Sequence, residues 1–359
     1  MRTLGDVLSV HTRAGDPALY ETLDDAWVQC HACAHECALP EGAAGTCRVR
    51  FNRGGTLMVP WGYVAGAQCD PIEKKPFFHV EPGSRAYSFG MLGCDLACGC
   101  CQNWVSSQAL RDPAAGTGIT ETSPEMLVQA ALRSGARALV STYNEPLITT
   151  EWAVAVFKAA RAAGLLTGYV SNGHGTPIVI EYLAPWVDLV KVDLKGFDEL
   201  QYRNYGGRLA PVLDTIRDVH ARGIWLEVVT LVVPGINNSD AELGELTAFL
   251  AGVSPDIPWH VTAFHPDYRM NDRAGTTPEM LVHAADIGRR SGLRFVYAGN
   301  AAGRVGDLEH TVCPGCRATL VERRAYWIGA CRVTSDGRCP DCGHAVPGRW
   351  RPSTPVTSR

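Results

Sequence analysis

Between residues 86 and 299, short runs of β-branched and aromatic residues alternate with longer stretches whose apolar positions recur every three or four residues. The short runs read as strands, many of them apolar on both faces, and the longer periodic stretches read as helices. Strands are expected at residues 87–91, 138–141, 167–170, 189–192, 226–232, 260–264 and 294–297. Two helices begin with Ser123-Pro124-Glu125 and Thr277-Pro278-Glu279. In each, a hydroxyl can cap the first turn, Pro fits the first helical position, and Glu complements the positive helix end. No fixed period connects the two segments, so their likeness is shared helix-start chemistry and not a repeat. This alternation predicts an α/β fold in which right-handed crossovers curl parallel strands into a partial (β/α) TIM-type barrel.

In such barrels chemistry collects where strands end, so the polar residues that follow each strand carry the functional reading. A cysteine loop follows the first expected strand, and Thr142-Tyr143-Asn144-Glu145-Pro146 follows the second. Ser171-Asn172-Gly173-His174 follows the third, and Asp193-Leu194-Lys195 lies at the fourth. His265-Pro266 lies beyond the sixth and Asn300 beyond the seventh. Any one of these alone reads as a helix-start charge or an ordinary polar residue. Together they predict one mouth.

Composition changes this picture at the two ends. The 359 residues are 46% hydrophobic and 19% charged, enough for one sizeable core with attachments. The expected division is an N-terminal cysteine-rich cap (1–84), a core barrel (85–302) and a C-terminal module (303–359). The first twenty residues carry charges and no apolar run, which predicts a cytoplasmic protein without a signal peptide or membrane span. A net charge of −4 offers nothing to polyanions, so nucleic acid is an unlikely main partner.

The 14 cysteines fall mainly into three groups with ligand spacing, which favours metals over disulfides in a chain without a secretion signal. Cys30, Cys33, Cys37 and Cys47 form the first, with His31 and His35 as spare ligands. Ligand softness favours structural zinc there, with an auxiliary iron–sulfur cluster as the alternative. Cys313, Cys316, Cys339 and Cys342 form paired Cys-x2-Cys knuckles, the pattern of a closed zinc ribbon. Cys69 and Cys331 are left over and read as ordinary thiols. The third group is the loop Cys94-x3-Cys98-x2-Cys101. Three thiolates on one tight loop suit a cubane iron–sulfur cluster whose fourth iron stays open. Cys100 could replace Cys101 in that set; the favoured reading is Cys94, Cys98 and Cys101.

Cys-x3-Cys-x2-Cys after a first strand resembles the radical S-adenosylmethionine (SAM) superfamily. Gln102-Asn103-Trp104, with Asp70-Pro71-Ile72-Glu73-Lys74-Lys75-Pro76 upstream, resembles its AmmeMemoRadiSam branch, related to pyruvate formate-lyase activating enzyme. The likeness runs from about Cys30 to Trp350. It implies a 4Fe-4S cluster on Cys94, Cys98 and Cys101 that cleaves SAM reductively, giving a 5′-deoxyadenosyl radical that abstracts hydrogen from an unidentified small-molecule or protein substrate. It also implies SAM contacts. Glu145, beside Asn144, would hold the methionine amino group, with Asp193, Leu194 and Lys195 as a second contact segment. His265 would lie near the ribose, and Ser171 and Asn172 would meet ribose or carboxylate. Cys100 and Gln102 would border the cofactor, Cys100 standing where the superfamily commonly has an aromatic residue. An electron donor such as flavodoxin or ferredoxin, and partner proteins of the AmmeMemoRadiSam system, are implied with it. Two other readings are a glycyl-radical-enzyme activase and a non-catalytic iron–sulfur or zinc-ribbon binding protein.

Overall fold

A computed structural model describes residues 4–351. Its central sheet contains β1 (Gly66–Pro71), β2 (Arg85–Gly90), β3 (Ala138–Ser141), β4 (Leu166–Ser171), β5 (Leu189–Asp193), β6 (Trp225–Val232), β7 (Trp259–Ala263) and β8 (Val296–Gly299). Spatial order follows chain order, with β2 to β8 parallel and β1 antiparallel to β2. All seven expected strands are present, their ends displaced by no more than two residues. Among the described residues β1 and β8 do not pair with each other, so the sheet winds in one direction without closing by hydrogen bonds.

The expected helix starts form as their chemistry dictates. Ser123 Oγ accepts the Met126 N–H at 3.2 Å ahead of Pro124–Arg133, and Thr277 Oγ1 accepts the Met280 N–H at 3.4 Å ahead of Pro278–Arg290. All four residues of β3 are buried, as a strand covered on both faces requires. No helix among the described residues is long and apolar enough to cross a membrane.

The residues before the central sheet build two small three-stranded sheets and then run into β1. The expected division at 84/85 therefore falls between two strands that pair over six residues. Arg50 clamps this N-terminal part to the helix Thr150–Ala162 through two bonds to Glu151, at 2.7 and 2.8 Å. At the other end, the strands Thr311–Val312, Thr319–Arg324 and Trp327–Cys331 form a small antiparallel sheet. Its Leu320 and Val321 share a buried cluster with Phe295 and Tyr297 at the last strand of the central sheet.

His79 ties the three parts together. Its Nδ1 donates to Pro347 O at 2.6 Å, and its Nε2 accepts from Tyr297 Oη at 2.6 Å. The ring is fully buried, and burial pushes its pKa down to about 4.

Candidate active site

A cavity of about 620 Å³ opens at the carboxyl ends of the parallel strands. Cys94, Cys98, Cys100, Cys101, Gln102, Asn144, Glu145, Asn172, Asp193 and Lys195 line it. These residues come from loops far apart in the chain, and the sheet order brings them to one wall.

The cysteine loop is pinned along its length. Gly93 begins it with φ 90, and a Cβ there would stand 2.9 Å from Cys47 O, so the N-terminal part packs directly beneath it. Leu96 O accepts from Gln108 Nε2 at 3.1 Å and from Arg111 Nη1 at 2.8 Å, Ala97 N–H donates to Tyr205 O, and Gly99 O accepts from Arg269 N–H. Cys94 Sγ accepts the Leu96 N–H at 3.4 Å, and Ser107 Oγ lies 3.2 Å from Cys101 Sγ. Burial, reinforced by Asp95 and Glu145, pushes the Cys94 thiol well up. Burial also raises Cys98 against the pull of Lys195. Thiolates in such a place need cations beside them, which iron or zinc supplies.

Glu145 is 2% exposed and joins two strand ends. Its Oε1 accepts from Ser171 Oγ at 2.7 Å and from the Leu147 N–H at 3.0 Å, while Oε2 accepts the Asn172 N–H at 2.7 Å. Burial first, then Asp95, raises its pKa. Asn144 Oδ1 accepts the Met91 N–H at 3.0 Å, fastening this turn to the end of β2. Tyr143, just before Asn144, holds φ 72, a left-handed conformation that is costly for a bulky residue and marks the turn as held by its surroundings. Behind the cysteine loop, Asp95 accepts from Asn172 Nδ2 at 2.7 Å and from His174 Nδ1 at 2.9 Å. His35 Nε2 donates to Asp95 O at 3.0 Å.

At the fourth parallel strand, Asp193 takes Lys191 Nζ at 2.5 Å and has Lys195 Nζ at 3.9 Å. Burial alone would raise Asp193, but the two ammonium groups overcome it and hold the carboxylate low. Three expected residues stand off the wall. Ser171 is buried behind Glu145, Leu194 is buried in the apolar core, and His265 is 63% exposed, accepting from Gln102 Nε2 at 3.1 Å through Nδ1. The wall also includes residues the sequence reading passed over: Glu73, Lys75, Phe78, Lys191, Glu309 and Tyr326. Tyr326 follows the C-terminal strand Thr319–Arg324, a contribution from so far along the chain that no local pattern could announce it.

Sulfur spacing separates the three cysteine groups. A tetrahedral zinc ion with bonds of about 2.3 Å holds its sulfurs about 3.8 Å apart. Cys313 and Cys342 lie 3.6 Å apart, as do Cys316 and Cys339, and all four sulfurs fall within 4.8 Å of one another. These four fit a single metal ion. Among the described residues, neither Cys94, Cys98 and Cys101 nor the N-terminal four form such a set. For the loop this suits a cluster whose ligands bind different irons. For Cys30, Cys33, Cys37 and Cys47 it means that one zinc ion would require the loops to close further.

A sequence model described as the radical SAM superfamily matches residues 90–247. A protein of Methanocaldococcus jannaschii, described as uncharacterized, is 35% identical over 332 residues, covering 91% of this chain and 97% of that one. A solved domain of pyruvate-formate lyase-activating enzyme from Bacteroides vulgatus overlaps 45% of this chain and 99% of its own, at 17% identity and a TM-score of 0.41. Streptococcus suis SuiB bound to S-adenosylmethionine overlaps 61% of this chain and 48% of its own, at 14% identity and a TM-score of 0.43.

Proposed function

Because the chain belongs to the radical SAM superfamily, whose members are enzymes that use an iron–sulfur cluster and SAM, we propose a specific assignment of its cavity. Cys94, Cys98 and Cys101 hold a 4Fe-4S cluster, and SAM occupies the same end of the cavity. When bound, that pair supplies a one-electron cleavage of SAM to methionine and a 5′-deoxyadenosyl radical, which takes hydrogen from a substrate. One observation carries the reading: three cysteines with Glu145, Asn172, Asp193 and Lys195, from four separate strand ends, line a single cavity.

The chain's own residues bind, orient and exclude water. Glu145 receives the amino group of SAM, fixed by the three donors that hold its carboxylate. Ser171 acts through Glu145 and not by touching SAM. Asp193 stays anionic between Lys191 and Lys195 and so can pair with a cationic part of the cofactor. Cys100 lines the cavity without serving as a ligand. Gln102 and His265 form the outer rim. No general base is required. The branch is that of the AmmeMemoRadiSam system, the electron donor is a flavodoxin or ferredoxin, and the C-terminal four-cysteine set holds one structural zinc.

Anaerobic reconstitution with iron, sulfide and zinc counting, followed by a 5′-deoxyadenosine assay with a strong reductant, tests the assignment. The wild type is expected to bind about four irons and form 5′-deoxyadenosine, while Cys94→Ala, Cys98→Ala and Cys101→Ala do neither. Cys100→Ala should keep its iron. A chain that binds iron through Cys100 and not Cys101, or that leaves SAM intact, overturns it.

A further inference from the structure

The cavity extends past the cysteine end to a second region bounded by Glu73, Lys75, Phe78, Tyr143, His260 and Tyr326. Glu73 is its distinctive group. It sits on the tight turn Ile72–Lys74 after β1 and is 1% exposed. Oε1 accepts the Gly83 N–H at 2.8 Å, but Oε2 has no hydrogen-bond partner.

The neighbouring lysines are committed elsewhere. Lys74 and Lys75 each reach Asp70, at 3.0 Å, and Lys75 Nζ also lies 3.2 Å from Tyr143 Oη. Arg323 donates to Thr311 Oγ1 at 2.7 Å and to Phe78 O at 2.6 Å, which leaves its buried Nε without a partner and its charge acting on Glu73. Glu309, the other carboxylate at this end, has both oxygens filled by the N–H groups of Gly303 and Ala325. A buried carboxyl oxygen left unmet is costly, and a donor brought in from the cavity would satisfy it without drawing Arg323 from its two bonds. Of the adjoining rings, Phe78 already carries Arg323 at 4.4 Å and Tyr143 carries Lys75 at 4.9 Å, so Tyr326 is the face offered to an incoming cation. A carboxylate beside aromatic rings selects a charged nitrogen over a neutral hydroxyl and rejects an anion.

We infer that the Glu73 end is the substrate subsite and that it receives a substrate through a cationic nitrogen, an ammonium or guanidinium group, bound to Glu73 Oε2. The inference rests on SAM occupying the cysteine end. SAM carries an ammonium group of its own, so the two ends must be distinguished by competition.

Ligand-detected NMR on the reconstituted full chain, with and without saturating SAM, makes that distinction. The probes are n-butylammonium, n-butylguanidinium, butyrate and n-butanol. The two cations are expected to bind with affinities on the order of millimolar and to compete with each other, with butyrate and butanol about tenfold weaker or more. SAM should not displace them. Glu73→Gln keeps an acceptor for Gly83 and should weaken the cations by about tenfold while leaving butanol and the iron content unchanged. Tyr326→Ala, at a partly exposed position, should weaken the cations severalfold without altering the melting temperature. Cations that bind no better than butanol, that SAM displaces, or that a folded Glu73→Gln chain binds as well as the wild type overturn the inference. SAM cleavage is measured separately, so a chain that binds the cations but leaves SAM intact refutes the proposed chemistry and not the subsite.

Discussion

Glu145 shows how one side chain organises the mouth of the cavity. Its two oxygens collect donors from Ser171, Leu147 and Asn172, so the carboxylate is both a candidate ligand and a structural bridge between β3 and β4. Glu145→Gln must set an amide NH2 against at least one of these donors. We expect it to lose about 1–3 kcal/mol in urea unfolding, beyond any effect on SAM binding. Ser107 is the quieter counterpart, lying 3.2 Å from Cys101 Sγ. A hydroxyl donating to a ligand sulfur favours the more negative, reduced cluster, so Ser107→Ala should shift the reduction potential down by tens of millivolts, a fraction of the ~2 kcal/mol of a hydrogen bond to a charged group. Voltammetry of the reconstituted variant measures this, and an unchanged potential would show the contact to be incidental. Sequence spacing sufficed to nominate Cys94, Cys98 and Cys101. Ser107 and Glu73 were not legible, because a serine in a helix and a glutamate in a charged heptapeptide carry no spacing signal.

The parallel strands were legible because strands covered on both faces must be apolar throughout, as Ala138–Ser141 is. β1 was not. Gly-Ala-Gln-Cys-Asp-Pro has neither alternation nor an apolar run, and five of its six residues are at least partly exposed. It becomes a strand by adding to the edge of a sheet already formed, a tertiary event that no local pattern marks. The Arg50–Glu151 pair has the same tertiary origin. Both groups are buried, so Glu151→Ala leaves an uncompensated guanidinium inside the protein and should cost about 3–5 kcal/mol. Replacing both residues by apolar side chains should restore much of this in urea unfolding; a single variant as stable as the wild type would mean that water enters the junction. The C-terminal knuckles are an element-scale case where sequence sufficed, since four sulfurs at tetrahedral spacing need only two short Cys-x2-Cys turns. Chelation or Cys316→Ser is expected to release about one zinc per chain and lower the melting temperature.

Across the molecule, the central sheet and the two parts that flank it meet at His79. Its folded-state pKa of about 4 lies below the ordinary histidine value of about 6.5. Between those values the unfolded chain binds a proton that the folded chain excludes, so stability conferred above pH 6.5 is lost as pH falls towards 4. The whole interval is worth up to about 3 kcal/mol. His79→Gln should lower stability at neutral pH and flatten the decline over this window in a series of pH-resolved melts. An equally steep decline in the variant would assign acid sensitivity to other groups. What sequence could not supply at this scale was the cavity's far wall, built by residues from positions 73 and 326 that no local pattern connects.

Among the described residues β8 does not find β1, and the cost is absorbed by residues 303–351. A parallel sheet that stops without meeting itself offers a row of vacant amide and carbonyl groups to any passing strand. The apolar packing of Leu320, Val321 and Val346 beside Phe295 and Tyr297 shields that flank. A chain cut after residue 302 should therefore self-associate in light scattering, and not persist as a smaller monomer.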